Sequence, residues 1–321
     1  MRYQRAPDQS SAGFRWLSVA TVAAVLILVV VGGVVRVTGS GLGCPDWPLC
    51  HGQIIPPADV ETLIEYSHRL VASVVGILVL VMTVWAWLRY RNRLMLLVPC
   101  TLGLVLVIAQ GALGGATVLT ELKGELVTAH LALAEALLAL FILVSLSAIR
   151  GISFSRLGMN RTAVLAGATA LGVYVLLLTG SIVTTSGASG VCNDWPLCQG
   201  GSFMSGKLPA IHMAHRYVAV AAGLLVLATV VLTVRGRAVR PDLALAGAVA
   251  GALFIAQVVV GAVAVWSGLP PELRALHLAL ATTVWATLAA VALLPYANAA
   301  TPTALDVPKE RSAPGLRPVM Q

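Results

Sequence analysis

The sequence predicts an all-α integral membrane protein of eight transmembrane helices, arranged as two tandem four-helix bundles related by a pseudo-twofold axis. Three observations predict it. Of 321 residues, 58% are hydrophobic and 11% charged, against about 45–50% and about 25% in a soluble domain. The apolar residues fall into eight runs long enough to cross a bilayer, and the second half of the chain repeats the first. The composition excludes a disordered chain, a secreted disulfide mini-protein and a nucleic-acid-binding domain.

A hydrocarbon core of about 30 Å takes roughly 20 apolar residues in a helix. The runs that meet this requirement lie at approximately 16–38, 65–88, 94–118, 126–149, 162–184, 210–234, 242–266 and 272–295. The first is too long, and too weakly flanked by a cleavage site, for a removed signal peptide. Basic residues orient the spans. Arg2, Arg5 and Arg15 precede the first, and Lys309, Arg311 and Arg317 follow the eighth. Arg89, Arg91 and Arg93, then Arg150, Arg156 and Arg161, then Arg235, Arg237 and Arg240 fill the loops of the same side. Those segments hold 15 of the 21 Lys and Arg residues. The opposite loops carry Asp46, Asp59, Glu61, Glu121 and Asp194, with Lys123 and Lys207. Positive residues remain cytoplasmic, so both termini are expected there, and the net charge of +8 reports topology rather than an anionic ligand.

The repeat runs at one offset. Residues 65–80 (EYSHRLVASVVGILVL) align with 212–227 (HMAHRYVAVAAGLLVL) at 147, as do Gln110 with Gln257, Glu125 with Glu272 and His130 with His277. The loop CPDWPLCHG matches CNDWPLCQG at 148. The halves are 1–150 and 151–296, followed by a Pro-rich polar tail, 297–321, expected to be cytoplasmic and disordered. An even number of spans gives both halves one orientation, so their axis lies along the membrane normal.

Four histidines follow the repeat: His68 and His130 in the first half, His215 and His277 in the second. Each sits a few residues inside the outer end of an even-numbered span, at a similar depth. Ionisable residues inside a membrane are rare and usually functional. The bland alternative, imidazoles as interhelical polar glue, accounts poorly for two pairs repeated between halves. Haem iron with two axial imidazoles suits a pair of facing histidines in a four-helix bundle. Copper or zinc would want further ligands, and the first half offers only Glu65. Arg69 and Arg216 follow proposed ligands and could pair with haem propionates or anchor helix ends. Arg36, whose repeat counterpart reads as Val183, has the same two roles open to it.

The halves differ most at Glu65, which stands where the second half has His212. A carboxylate one turn from a ligand could serve as a general base or steady a developing cation; its alternative role is a charge favoured by the helix N-terminus. Glu125 and Glu272 read as helix-start residues and His51 as a solvated loop residue. Gln110 and Gln257 read as packing residues beside small ones, and Cys100 as an apolar filler. Cys44 and Cys50, and Cys192 and Cys198, lie in outer loops, where disulfides are the default. Each would close a small exposed ring open to exchange partners, structural for Cys192–Cys198 and conceivably redox-active for Cys44–Cys50.

Taken together, Glu65-x-x-His68-Arg69, His130, His212-x-x-His215-Arg216, His277 and the cysteine pairs make the chain resemble the haem A synthase family across residues 15–296. The resemblance implies oxidation of the C8 methyl of haem O to a formyl group through hydroxylated intermediates, in a bacterial cell membrane. It further implies haem b as cofactor on His215 and His277, substrate haem O on His68 and His130, and an essential glutamate at Glu65. Cys44–Cys50 is implicated in activity. A haem O synthase and oxidase assembly factors are the partners it suggests, besides the lipid bilayer and possible oligomers. From the residues alone, a non-enzymatic dihaem b-type cytochrome relaying electrons from quinol is the rival; Glu65 and the loop cysteines favour the enzyme. A transporter built from parallel repeats fits poorly, since no charged span is broken at mid-membrane. Reporter fusions are expected to place 89–93 in the cytoplasm and 44–59 outside.

Overall fold

The computed structural model describes residues 10–152, 160–198 and 206–298. Arg2, Arg5, Arg156 and the tail beyond 298 lie outside the described residues. Eight helices carry the described chain: α1 Ala12–Val37, α2 Val60–Arg89, α3 Leu94–Leu119, α4 Gly124–Arg150, α5 Arg161–Thr185, α6 Lys207–Arg235, α7 Pro241–Trp266 and α8 Pro271–Leu293. Each is long and apolar enough to cross a membrane, as the apolar runs predict.

Helix starts explain where the bounds move. The Ser11 hydroxyl accepts from the Phe14 amide and begins α1. Asp59 accepts from the Thr62 amide at 3.0 Å and begins α2, one turn earlier than hydropathy suggests. A capping oxygen satisfies an amide that the helix leaves unpaired. Glu61 therefore lies inside α2, ahead of the apolar run that begins at Glu65.

Neighbouring contacts close two rings. In the first, α1 packs on α2, α2 on α3, α3 on α4 and α4 on α1; α5 to α8 close the second in the same order. The rings meet along a seam where α1 packs on α8 and α4 on both α5 and α8. Small and apolar side chains make that approach possible. Gly33 of α1 lies directly under the Leu278 side chain of α8, while Leu138, Phe141 and Val144 of α4 and Leu288 of α8 are fully enclosed. Polar groups add directed bonds: Thr128 shares a hydrogen with Ser181 at 2.9 Å, and the Tyr174 hydroxyl donates to the Ala132 carbonyl at 2.9 Å.

The end opposite the cysteine loops is clamped by charge. Arg150, closing α4, pairs with Asp242 in the first turn of α7, and Arg240 reaches the same carboxylate at 3.0 Å. Arg240 also donates to the Leu294 carbonyl, and Asn298 to the Arg150 carbonyl. Gly33→Val would drive a branched side chain into Leu278 and is expected to cost about 1–3 kcal/mol, read as a lower thermal midpoint in detergent.

Candidate functional site

Within each ring the two repeated histidines stand on diagonal helices. His68 belongs to α2 and His130 to α4; His215 belongs to α6 and His277 to α8. Neither α2 with α4 nor α6 with α8 is among the packed pairs, so each histidine pair faces across its ring. Adjacent helices would leave no room for anything between two imidazoles. Diagonal helices do.

Every one of these rings lies on a glycine of the preceding helix. A Cβ on Gly32 would sit 2.9 Å from Cε1 of His68, and one on Gly114 3.1 Å from that of His130. On Gly180 it would sit 3.2 Å from Cε1 of His215, and on Gly261 2.7 Å from that of His277. A Cβ at Gly32 or Gly261 would force the imidazole to shift, and one at Gly114 or Gly180 would require it to give by a few tenths of an ångström. The imidazoles are thus seated by missing atoms, a signal in the sequence that reads as ordinary helix packing until the rings are placed. The pairing Gly32 to Gly180 also corrects the register of α5: the counterpart of Arg36 is Thr184, not Val183, because α1 and its loop follow the offset of 148.

The polar atoms of these rings test whether they suit a haem. Nδ1 of His68, His130 and His277 is buried without a hydrogen-bond partner. Backbone carbonyls approach two of these imidazoles short of bonding geometry, Leu28 at His68 and Gln257 at His277. Nδ1 of His215 instead shares a hydrogen with the Thr179 hydroxyl at 2.9 Å. Metal-bound imidazoles use one nitrogen for the metal and direct the other to an oxygen; His215 has that oxygen in Thr179, while His68, His130 and His277 keep a buried Nδ1 without one. No group of three or more His, Cys, Asp or Glu side chains gathers elsewhere among the described residues.

Glu65 is buried and points to the first outer loop, not to the start of its own helix. Its Oε2 accepts from the Cys44 amide at 2.8 Å and its Oε1 from Arg69 at 2.6 Å. Arg69 also donates to the carbonyls of Cys44, Asp46 and Leu49 at 2.7–2.9 Å. In the second half, Nδ1 of His212 donates to the Ala188 carbonyl at 2.9 Å, and its Nε2 faces Arg216 at 3.2 Å. That arrangement suits a neutral imidazole. Arg216 holds the carbonyls of Asp194 and Pro196. Both arginines thus serve as loop anchors, with their guanidinium groups committed to carbonyls. Arg36 differs, since its Nε is buried without a partner.

Both cysteine pairs are disulfide-bonded, with Cα atoms 4.7 and 4.8 Å apart. The rings are exposed as expected, with Trp47, Leu49, Trp195 and Leu197 at the surface, but the disulfides themselves are not: all four cysteines are 2% exposed or less. Trp47 lies over Gly115 of α3 and so ties the first outer loop to that helix. Trp47 went unmarked in the sequence because an aromatic in an outer loop is ordinary at an interface. His51 is exposed, with Nε2 2.9 Å from the Gly43 carbonyl. Cys100 is buried, Gln110 donates to the His130 carbonyl, and Glu125 and Glu272 occupy first turns. The residue that the sequence reading missed outright is Glu135, wholly buried in α4; a single acid amid an apolar span was its available signal.

By fold and site this is a polytopic membrane protein with two diagonal imidazole pairs in repeated four-helix rings, an arrangement that suits haem. Comparison with known proteins narrows this. The family model COX15-CtaA, cytochrome oxidase assembly protein, matches residues 15–62, 58–289 and 210–320, and the chain belongs to that family. Similar proteins named heme A synthase include one from Geobacillus kaustophilus, 30% identical over 264 residues, covering 79% of this chain and 83% of its own. Another, from Shouchella clausii, is 32% identical over 234 residues, covering 70% and 77%. A third, from an Exiguobacterium species, is 29% identical over 260 residues, covering 80% and 85%.

The loop carries its own pH dependence. Amides of Gly52 and His51 donate to the Asp46 carboxylate at 2.7 and 2.6 Å and hold it below the usual carboxylate range. A depressed acid stabilises the fold above its ordinary titration and loses that contribution as pH falls through the lowered value. Protection of the amides of residues 51 and 52 against hydrogen exchange, taken relative to the intrinsic rate, is expected to be lost as pH falls below the ordinary carboxylate range, and Asp46→Asn to remove that acid step.

Proposed function

We propose that this chain is a haem A synthase that oxidises the C8 methyl of haem O to a formyl group through hydroxylated intermediates. Haem O is held in the first ring, residues 1–150, by His68 and His130; haem b resides in the second, residues 151–296, on His215 and His277. The observation that carries the assignment is the asymmetry of the two rings at matching positions. Thr179 orients His215, whereas the matching residue beside His68 is Val31. A ligand fixed by an outer hydrogen bond suits a retained cofactor, and a freer one suits a group that must enter and leave. The acid, Glu65, stands in the ring assigned to the exchanging haem, and neutral His212 stands in the other.

Haem b, when bound, supplies a one-electron relay to and from the substrate site. The remaining tasks fall to the chain. Glu65 takes the proton given up as the methyl is oxidised, or steadies positive charge developing on that carbon. Its bonds to Cys44 and Arg69 aim it, and Arg69 supports the ionised form. The Cys44–Cys50 clip, Arg69 and Trp47 hold the loop over the site. Arg36, with its uncommitted Nε, remains the arginine suited to a substrate propionate.

The setting proposed is a bacterial cell membrane with both termini cytoplasmic. A haem O synthase would supply the substrate and oxidase assembly factors would receive the product. The family's description as a cytochrome oxidase assembly protein supports that placement.

Extraction of haem from protein co-expressed with a haem O supply is expected to yield haem A or its hydroxylated precursor beside haem b. Haem b alone would favour the electron-carrier reading. Glu65→Gln is expected to retain both haems and to stall before the aldehyde; normal haem A from that variant would remove Glu65 from the chemistry. Thr179→Val is expected to weaken haem retention in the second ring by about 10–100-fold, measured by haem transfer to an apo-acceptor, with the first ring unaffected.

A further inference from the structure

Glu135 lies in the seam between the rings and is 0% exposed. Its Oε1 accepts from the Thr282 hydroxyl at 2.6 Å. The two residues are 147 apart, the offset that relates His130 to His277. A bond between repeat-equivalent positions can form only close to the axis that relates them. Glu135 and Thr282 therefore mark the pseudo-twofold axis.

Each also lies five residues inward of a histidine on its own helix, about 7.5 Å along α4 or α8. Further bonds tie the same stretch of α4. Trp285 Nε1 donates to the Glu135 carbonyl at 3.0 Å, and the Tyr174 hydroxyl to the Ala132 carbonyl at 2.9 Å. The Tyr174 and Trp285 rings meet with centroids 5.2 Å apart. Apolar packing permits sliding of one smooth helix on another, whereas a directed bond in a low-dielectric seam favours one register. No catalytic step assigned above uses this acid.

We propose that Glu135 is a positioning residue: its bond to Thr282 locks α4 against α8 and so holds His130 and His277 at one spacing and rotation. This rests on the two-haem reading, in which that spacing is the gap an electron crosses between the substrate and cofactor sites. The side chain serves here because one of its oxygens reaches across the axis to a hydroxyl that the second half supplies at the equivalent position; the other, Oε2, is buried without a partner. The repeat thus breaks its own symmetry where the two halves touch.

The test uses the full-length, haem-loaded protein in a Cys100→Ala background, with nitroxides on Glu125→Cys and Glu272→Cys at the outer ends of α4 and α8. Pulsed electron paramagnetic resonance reads their separation. The low-spin ferric signal reads the angle between imidazole planes, and redox titration reads the haem midpoint potentials. Thr282→Val and Glu135→Leu are expected to broaden the nitroxide distribution at least twofold and to shift both haem readouts. Glu135→Gln, whose amide carbonyl can still accept from Thr282, is expected to restore all three. Thr282→Val matching the parent would overturn the proposal. So would Glu135→Gln behaving as Glu135→Leu, which would assign the effect to acidity instead. Parent protein that binds fewer than two haems would defeat the two-haem reading, while the nitroxide distances would still decide the lock.

Discussion

Two imidazoles can face each other across a gap only if the helices that carry them do not pack on each other. That constraint governs this molecule. Each four-membered ring keeps α2 from α4, or α6 from α8, by packing both against the remaining pair, and places one histidine on each of the separated helices. Each of the remaining helices must then come close to its histidine-bearing neighbour without filling the gap, which is why Gly32, Gly114, Gly180 and Gly261 lie against the imidazoles. Helix association in a membrane depends on close packing of small residues more than on a hydrophobic drive. The same glycines therefore serve the bundle and the site.

Repetition made two such rings, and small departures from it gave them different work. Glu65 and His212 occupy one position and both reach an outer loop, yet one is an acid held by an amide and an arginine, and the other a neutral ring between a carbonyl and an arginine. Val31 and Thr179 occupy another, and only Thr179 can orient a ligand. The scaffold tolerates these exchanges because they fall at the outer ends, where loop carbonyls and water can satisfy a polar group. Glu135 opposite Thr282 is the exception. There the side chain is fully enclosed: Thr282 pairs one carboxyl oxygen, and the other, Oε2, is buried without a partner, at the cost an unpaired interior polar group carries.

The outer loops contribute more than closure. Both disulfides are buried, and Trp47 ties the first outer loop to α3. Arg69 and Arg216 spend their donors on those loops, whereas Arg36 keeps a buried Nε without a partner. A charged side chain next to a ligand histidine in sequence points elsewhere in space, since successive helical positions lie about 100° apart.

Much was determined by the sequence alone. Eight apolar runs, the basic loops and the offset of 147 establish the spans and the repeat, because hydropathy and charge bias are local properties that no partner helix alters. The same offset singles out His68, His130, His215, His277 and the Glu65–His212 difference. Only the tertiary structure decided what those residues touch. It moved the counterpart of Arg36 to Thr184, buried cysteines that a loop position suggested were exposed, and gave Glu65 to the Cys44 amide. It also brought Glu135 to Thr282. Each of these depends on contacts between segments far apart in the chain, set by how helices pack across a ring or a seam, and no local pattern of residues encodes such a distance.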